Sequence, residues 1–255
     1  LSIPAVRLRS RWILGHSLSV DLYEHLASWW PVISPVEGHA EEAAWIETLL
    51  PAQGSVLELG SGTGLLAHHL SKGLGMTLTD QSASMLAVSR ELNPGCFHVE
   101  ADMRELRLDR TFDAVLAHDA IDYMTTRSDL ARAAATAYAH CAEDGVAVFV
   151  PDDLAETFVE STTLEENNAP DGRAARLVDW TWDPDPDDEK VQTEWLLLLR
   201  TAAGEVSVHH ECHTFGLFGR QVWIDTLIEA GFSDVRSVEE PVDRPRTAFI
   251  AHRCV

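Results

Sequence analysis

Between residues 54 and 151 the chain alternates short apolar runs with stretches of helical period. The runs are Val56-Leu57 with Leu59, Met76–Thr79, Cys96–Val99, Phe112–Ala117 and Gly145–Pro151, each short enough for a strand covered on both faces. Between them lie helical segments at Leu65–Leu70, Ser82–Leu92 and an alanine-rich Arg127–His140. This alternation predicts an α/β fold with a doubly wound, mainly parallel sheet. Ahead of it, Asp21–Trp30 reads as a helix stopped by Pro31 and Pro35. Gly38–Leu50 reads as a second helix, with Ala43, Ala44, Ile46, Leu49 and Leu50 on its apolar side. Residues 1 to 18 show no clear period.

The pattern changes at residue 152. Leu177–Trp182, Val191–Arg200 and Val206–Phe215 read as antiparallel strands, joined by an exposed Asp183–Glu189 connection and a turn at Gly204. A helix returns over Gly219–Gly231, with Trp223, Leu227 and Ile228 apolar, and strands follow at Phe232–Val238 and Ala248–Ala251. The expected organisation is a helical lid over 1–53, a ligand-binding core over 54–151, an antiparallel β insertion over 152–218 and the end of the core over 219–255.

The first core strand runs straight into Glu58-Leu59-Gly60-Ser61-Gly62-Thr63-Gly64, with glycines at alternate positions. Glycine accepts positive φ and lets backbone approach a ligand closely, and the carboxyl end of a parallel strand is where open α/β sheets bind ligands. An ordinary tight strand-to-helix turn would have the same glycines. The dinucleotide fingerprint G-x-G-x-x-G is broken, because Leu65 holds its sixth position. Asp80, about 20 positions on, suits a ribose diol, since a carboxylate accepts two hydrogen bonds; it or Ser82 would also cap the next helix.

Composition narrows the partners. The 255 residues are 45% hydrophobic and 24% charged, as in a globular protein, with a formal charge of −22. Such a surface repels phosphate backbones and anionic membranes. No apolar run reaches the roughly 18 residues of a membrane helix, and no apolar core or cleavage site follows Arg7, Arg9 and Arg11. Cys96, Cys141, Cys212 and Cys254 are scattered, as expected of reduced thiols in a cytoplasmic enzyme. The partners expected are a small-molecule substrate and, at most, a second copy in a homodimer, with no nucleic acid and no membrane.

The pattern E-x-G-x-G-x-G over Glu58–Gly64 resembles motif I of the class I S-adenosylmethionine-dependent methyltransferases. Further motifs follow in that family's order: Asp80, then Ser84-Met85-Leu86, Asp102-Met103-Arg104, the F-D-x-V strand at Phe112–Val115, and Glu229-Ala230-Gly231-Phe232. The resemblance covers residues 54–151 and 219–252. It implies a seven-stranded Rossmann-like sheet with the antiparallel segment inserted before the last helix, loosely similar to aminosugar N,N-dimethyltransferases. It also implies S-adenosylmethionine as cofactor, held by Glu58, Gly60, Gly62, Gly64, Asp80, Gln81, Met85, Asp102, Met103, Ala117 and His118. Asp102 would meet the adenine amine with Met103 near its face. Tyr23, with Trp29 and Trp30, would cover the cofactor or acceptor, although aromatic residues at helical spacing also serve as core.

Methyl transfer is an in-line displacement, so the protein aligns the acceptor, excludes water and manages a proton. A neutral amine needs little beyond positioning, whereas a hydroxyl needs a general base. His118, Asp119, Asp122 and Tyr123 follow the fourth strand as catalytic candidates, His118 first as base; its alternative role is a contact to cofactor backbone. His209–His213 has a metal-like composition, but on a strand only His209, Glu211 and His213 share a face, and no metal is expected. The function expected is methyl transfer to N or O of a small molecule. A nicotinamide-dependent oxidoreductase and a non-catalytic cofactor-binding protein are the competing readings.

Overall fold

The structure, a computed structural model, describes residues 20–242 and 245–254. Residues 1–19, including the basic stretch at Arg7–Arg11, lie outside the described residues.

Three short helices open the described chain: α1 (Val20–His25), α2 (Trp30–Ile33) and α3 (Ala40–Glu47). The single helix expected over Asp21–Trp30 is broken by a 3-10 turn at Ala27–Trp29, and Pro31 falls in the first turn of α2. Pro31 starts this helix and does not stop one, because its missing N–H lies where no intrahelical partner exists. A second 3-10 turn at Val36–His39 replaces the start of the helix expected from Gly38.

The core then runs β1 (Gly54–Leu59), α4 (Leu65–Leu70), β2 (Leu74–Asp80), α5 (Ala83–Leu92), β3 (Phe97–Glu100), β4 (Phe112–His118), α6 (Arg127–His140) and β5 (Cys141–Val150). An antiparallel unit follows: β6 (Ser161–Asn168), β7 (Ala174–Trp182), β8 (Lys190–Arg200) and β9 (Val206–Gly216). The chain ends with α7 (Arg220–Glu229), β10 (Ser233–Glu239) and β11 (Thr247–His252).

One sheet has seven strands in the order β10-β11-β5-β4-β1-β2-β3. β3, β2, β1, β4 and β5 pair in parallel, while β11 joins β5 and β10 antiparallel. The chain winds outward from β1 through β2 to β3, then crosses back to β4. The carboxyl ends of β1 and β4 therefore diverge, and a crevice opens between them. Side chains alternate across the strands and feed two apolar layers. Leu57, Leu59, Val115 and Phe149 pack with Trp223 and Phe249 on one face. Val56, Leu78, Leu116 and Val148 pack with Ile46, Leu66 and Leu70 on the other.

The second sheet has the order β6-β7-β8-β9, with each pair antiparallel. Its inner face meets the N-terminal helices, where Leu22, Val32 and Ile33 pack on Ala175, Leu177, Leu197 and Leu199. β6 was not anticipated. Its sequence, STTLEENN, is mostly exposed and lacks an apolar face, so its place comes from backbone pairing with β7. The start of β5 was also missed, because Cys141–Asp144 pairs across a register shift opposite Phe112.

Candidate active site

At the end of β1 the backbone turns left-handed at Gly60 (φ 74°) and again at Gly64 (φ 72°). A Cβ on Gly60 would lie 2.4 Å from Ala120 Cβ and 2.7 Å from Met103 Cε. One on Gly64 would lie 2.4 Å from Asn93 Nδ2, which donates at 2.8 Å to the Gly64 carbonyl. Neither position tolerates a side chain, so the turn stays flush against its neighbours. Asn93 has no sequence signature, because it reaches the turn from the end of α5.

Glu58 is buried beside this turn. Burial pushes its pKa up to about 7, and Oε2 has no hydrogen-bond partner among the described residues; the Ser61 and Thr63 hydroxyls are likewise unmet. Asp80, at the end of β2, accepts from the Gly62 amide at 2.9 Å and from the Ser82 amide at 2.8 Å. Burial raises its pKa against these two bonds. The N-cap of α5 is Ser82, whose Oγ accepts from Met85 N–H at 3.1 Å and donates to the Tyr23 carbonyl at 2.9 Å. The same hydroxyl thus ties α1 to the edge of the crevice. Buried polar groups normally find partners. The orphaned Glu58 oxygen and the two hydroxyls therefore fit a ligand that brings donors and positive charge to the glycine turn.

Met85 and Ala117 are buried against this crevice, and Gln81 is exposed at its rim. Met103 packs on Gly60. Asp102 accepts from the Arg104 amide at 2.8 Å and from its guanidinium Nε at 3.0 Å, and that guanidinium holds its carboxyl below the usual range. Arg104 braces the loop on which an adenine ring could rest.

The four catalytic candidates do not converge. His118 Nε2 lies 2.8 Å from Glu42 Oε1 and 3.1 Å from Asp119 Oδ1. Arg246, from the segment before β11, sits in the same cluster. Its Nη1 is 2.5 Å from Asp119 Oδ1, 2.9 Å from His118 Nε2 and 3.3 Å from Asp152 Oδ1, and its Nη2 pairs with Glu42. Carboxylates only accept and arginine only donates. Nε2 either donates to Glu42 or accepts from Arg246, and both partners are in place, so that nitrogen is occupied and is not a free base. Asp122 is turned towards β5, where its Oδ2 accepts from the Asp152 amide at 2.8 Å. Burial, with Asp152 next to it, pushes its carboxyl well above the ordinary range. One donor atom each from Glu42, His118 and Asp119 lie within 4.8 Å of one another, as a metal would require, but the Arg246 guanidinium already supplies the cation.

Tyr123 faces another neighbourhood. Its hydroxyl is 2.6 Å from that of Tyr23 and 2.9 Å from His213 Nδ1. Trp195 lies tilted against His213 with ring centroids 4.2 Å apart, and Trp30 reaches Tyr23 at 5.5 Å and Trp195 at 6.2 Å. Burial raises both tyrosines and lowers His213 to about 4, so all three are neutral at physiological pH. Trp29 lies apart, under Arg173. Within the histidine cluster, Glu211 and His213 point inward, whereas His210 lies outward, 2.5 Å from Glu194. Glu42, Arg246, Trp195 and the separate role of His213 were not legible in the sequence, because each reaches the site from a distant element.

Residues 56–145 match a methyltransferase domain family. The chain is 27% identical over 200 residues to dTDP-3-amino-3,6-dideoxy-α-D-glucopyranose N,N-dimethyltransferase of Streptomyces fradiae, covering 76% of each chain. It is 32% identical over 146 residues to dTDP-3-amino-3,4,6-trideoxy-α-D-glucopyranose N,N-dimethyltransferase of Streptomyces venezuelae, covering 55% of this chain and 62% of the relative. Its fold matches an amino pentose methyltransferase of Micromonospora echinaspora solved with S-adenosylmethionine, at a TM-score of 0.72 and 24% identity, over 94% of this chain and 99% of the other.

Proposed function

We infer that the acceptor of this S-adenosylmethionine-dependent methyltransferase is an amine on a small sugar-like molecule. The observation that carries this reading is the wall formed by Tyr23, Trp30, Tyr123, Trp195 and His213, where the N-terminal helices meet the inner face of β8 and β9. Aromatic faces suit the C–H surface of a sugar ring and the positive charge of an ammonium group. Three neutral hydrogen-bonding groups sit among the rings. Asp179, bonded at 2.9 Å to the Trp195 indole, adds a carboxylate to the same wall. The names of the relatives from Streptomyces fradiae and Streptomyces venezuelae support an amino sugar.

When bound, S-adenosylmethionine supplies an electrophilic methyl group on a sulfonium. Glu58, the glycine turn, Asp80, Met85, Asp102, Met103, Ala117 and the His118 backbone would hold it, with Gln81 at the rim. Tyr23 would close over it through Ser82, making the described part of the N-terminal segment, residues 20–53, a lid and the four-stranded sheet a cap over the acceptor. Tyr123 would orient the acceptor nitrogen. An amine attacks with its own lone pair, and the ammonium formed then sheds a proton. The residues need only aim the nitrogen and exclude water. His118 and Asp119 would act by holding the Glu42–Arg246 cluster in place, and Asp122 by fixing the end of β5. Among the described residues no helix is long and apolar enough to cross a membrane. The acidic surface favours a small molecule over nucleic acid, and a cytoplasmic setting suits the free thiols.

The test is a product assay with a nucleotide-linked amino sugar and its hydroxyl analogue, read by mass spectrometry. A mass increase on the amine alone supports the reading. Methylation of the hydroxyl analogue alone would refute the amine assignment, and no turnover with a bound cofactor would favour a non-catalytic binder.

A further inference from the structure

A cavity opens at the other end of the seven-stranded sheet from the glycine turn. Its volume is about 440 Å³, within the roughly 300–1,000 Å³ of small-molecule sites. The amino ends of β1, β2 and β3 form its back, where Ser55 pairs with Gly75 and Thr77 with Phe97. The turns that follow α4 and α5 form its sides.

Its charge is opposite to that of the molecule. The chain has 41 Asp and Glu against 19 Lys and Arg. Among the described residues no carboxylate lines the cavity, whereas Lys72, Arg110 and His68 do. Lys72 and Arg110 have no ion pair and no side-chain hydrogen bond with any described residue. The Arg110 guanidinium rests over the Phe112 ring at 4.4 Å, a contact that needs no hydrogen bond. Two carboxylates come near. Asp113 is held by the Ser55 amide at 2.7 Å and hydroxyl at 2.8 Å, and Glu47 lines a smaller neighbouring groove with Lys72 without pairing to it. The carbonyl ends of α4 and α5 also face the cavity, each with at most about half a negative charge. Two full cations outweigh them. Lys72 follows the last turn of α4, where a cation complements the helix dipole. Arg110 lies in the loop before β4 and has no such duty.

Phe97 stands on the same wall. It is 71% exposed, more than any other large apolar side chain among the described residues. We propose that this cavity is a second binding site, for an aromatic phosphate monoester. The ring covers Phe97, and the phosphate meets Lys72 and Arg110. A monoester carries close to two negative charges at pH 7, which suits two unpaired cations better than a single carboxylate does. Aryl phosphates and nucleoside monophosphates share this chemistry. Asn93 lines the cavity and also donates at 2.8 Å to the Gly64 carbonyl, so the two sites share a wall residue and both can be filled at once.

Calorimetry with phenyl phosphate on the full chain saturated with S-adenosylhomocysteine tests this, because the cofactor crevice is then occupied. Saturable binding is expected, about ten-fold tighter than that of inorganic phosphate, with none by benzyl alcohol. Lys72→Glu and Arg110→Glu, each reversing one charge at an exposed position, should each weaken it about ten-fold or more, with S-adenosylhomocysteine affinity within about two-fold of wild type. Lys72→Glu decides if loss of the Phe112 contact disturbs the other variant. Cytidine monophosphate read in the same proteins tells the two sources apart: tighter binding than phenyl phosphate assigns a nucleotide, and equal or weaker binding an aryl ester. Absence of saturable binding overturns the proposal. Binding that survives both substitutions overturns it by placing the ligand elsewhere, and inorganic phosphate or benzyl alcohol binding as tightly as phenyl phosphate overturns the pairing of ring and charge.

Discussion

Asp80 Oδ2 accepts the Gly62 amide at 2.9 Å, so the carboxylate that ends the second strand braces the turn that ends the first. Its other oxygen accepts from the Ser82 amide at 2.8 Å. Both oxygens keep a lone pair, so one side chain can shape the turn and still receive hydroxyl donors. Asp80→Asn retains the shape but presents an NH2 to one of the two amides. Leaving a buried amide unmet costs about 1–3 kcal/mol. The expected result is a 10- to 100-fold loss of S-adenosylhomocysteine affinity by calorimetry, with the fold intact by circular dichroism. Unchanged affinity would remove Asp80 from the cofactor site.

Glu58 links pH to both stability and binding. Its folded pKa of about 7 stands above the reference value of 4.5 because of burial. The unfolded chain therefore loses this proton first. The stability tied to the protonated form is fully present below pH 4.5 and is lost as pH rises through 7, by about 3 kcal/mol. Glu58→Gln removes that loss, so its melting temperature relative to wild type should climb between pH 5 and 8. A ligand that brings positive charge to the unmet Oε2 favours the ionised form and lowers its pKa. Cofactor binding near pH 7 should then release a proton, seen as a buffer-dependent binding enthalpy, and Glu58→Gln should abolish that dependence.

The hydroxyl of Tyr123 bridges Tyr23 and His213. Tyr123→Phe breaks both bonds while keeping the ring that packs on Phe215 at 4.9 Å. The acceptor kcat/KM should fall about 10- to 100-fold, with S-adenosylhomocysteine affinity within about three-fold, because the bridge lies on the acceptor side. His213 is neutral down to about pH 4, so the wild-type rate should show no inflection from it near 6.5. A break there that disappears in His213→Asn would contradict this placement.

Fold and site differ in how far the chain announces them. The alternation from Val56 to Val150 encodes the parallel sheet because each buried strand must be apolar and each helix amphipathic over a contiguous stretch. The glycine turn and Asp80 are equally legible, since their geometry is local to one strand end. Glu42 and Arg246 are not: they are about 200 residues apart and meet only because α3 and the segment before β11 converge on the end of β4. β6 was missed for a related reason. An edge strand rich in Glu, Asn and Thr has no periodic signal, and its neighbour β7 determines it. His118 shows the converse, for its position after β4 was clear while its commitment to a carboxylate on α3 was not.

That commitment gives the Arg246 prediction. Glu42, His118, Asp119 and Asp152 surround one guanidinium, and burial lowers its pKa to about 10. Arg246→Ala leaves these carboxylates without their cation, at a cost of about 2–3 kcal/mol, moderated by the quarter exposure of the arginine side chain. Glu42→Gln in the same molecule should recover part of the loss, since one unpaired charge goes with it. The donor atoms of Glu42, His118 and Asp119 within 4.8 Å are the chemistry of a divalent site once the guanidinium is gone. Addition of Zn²⁺ or Mn²⁺ should therefore raise the melting temperature of Arg246→Ala and leave wild type unchanged, and a further His118→Ala should cancel the gain. A metal-dependent shift in wild type would mean that the arginine does not hold this cluster closed.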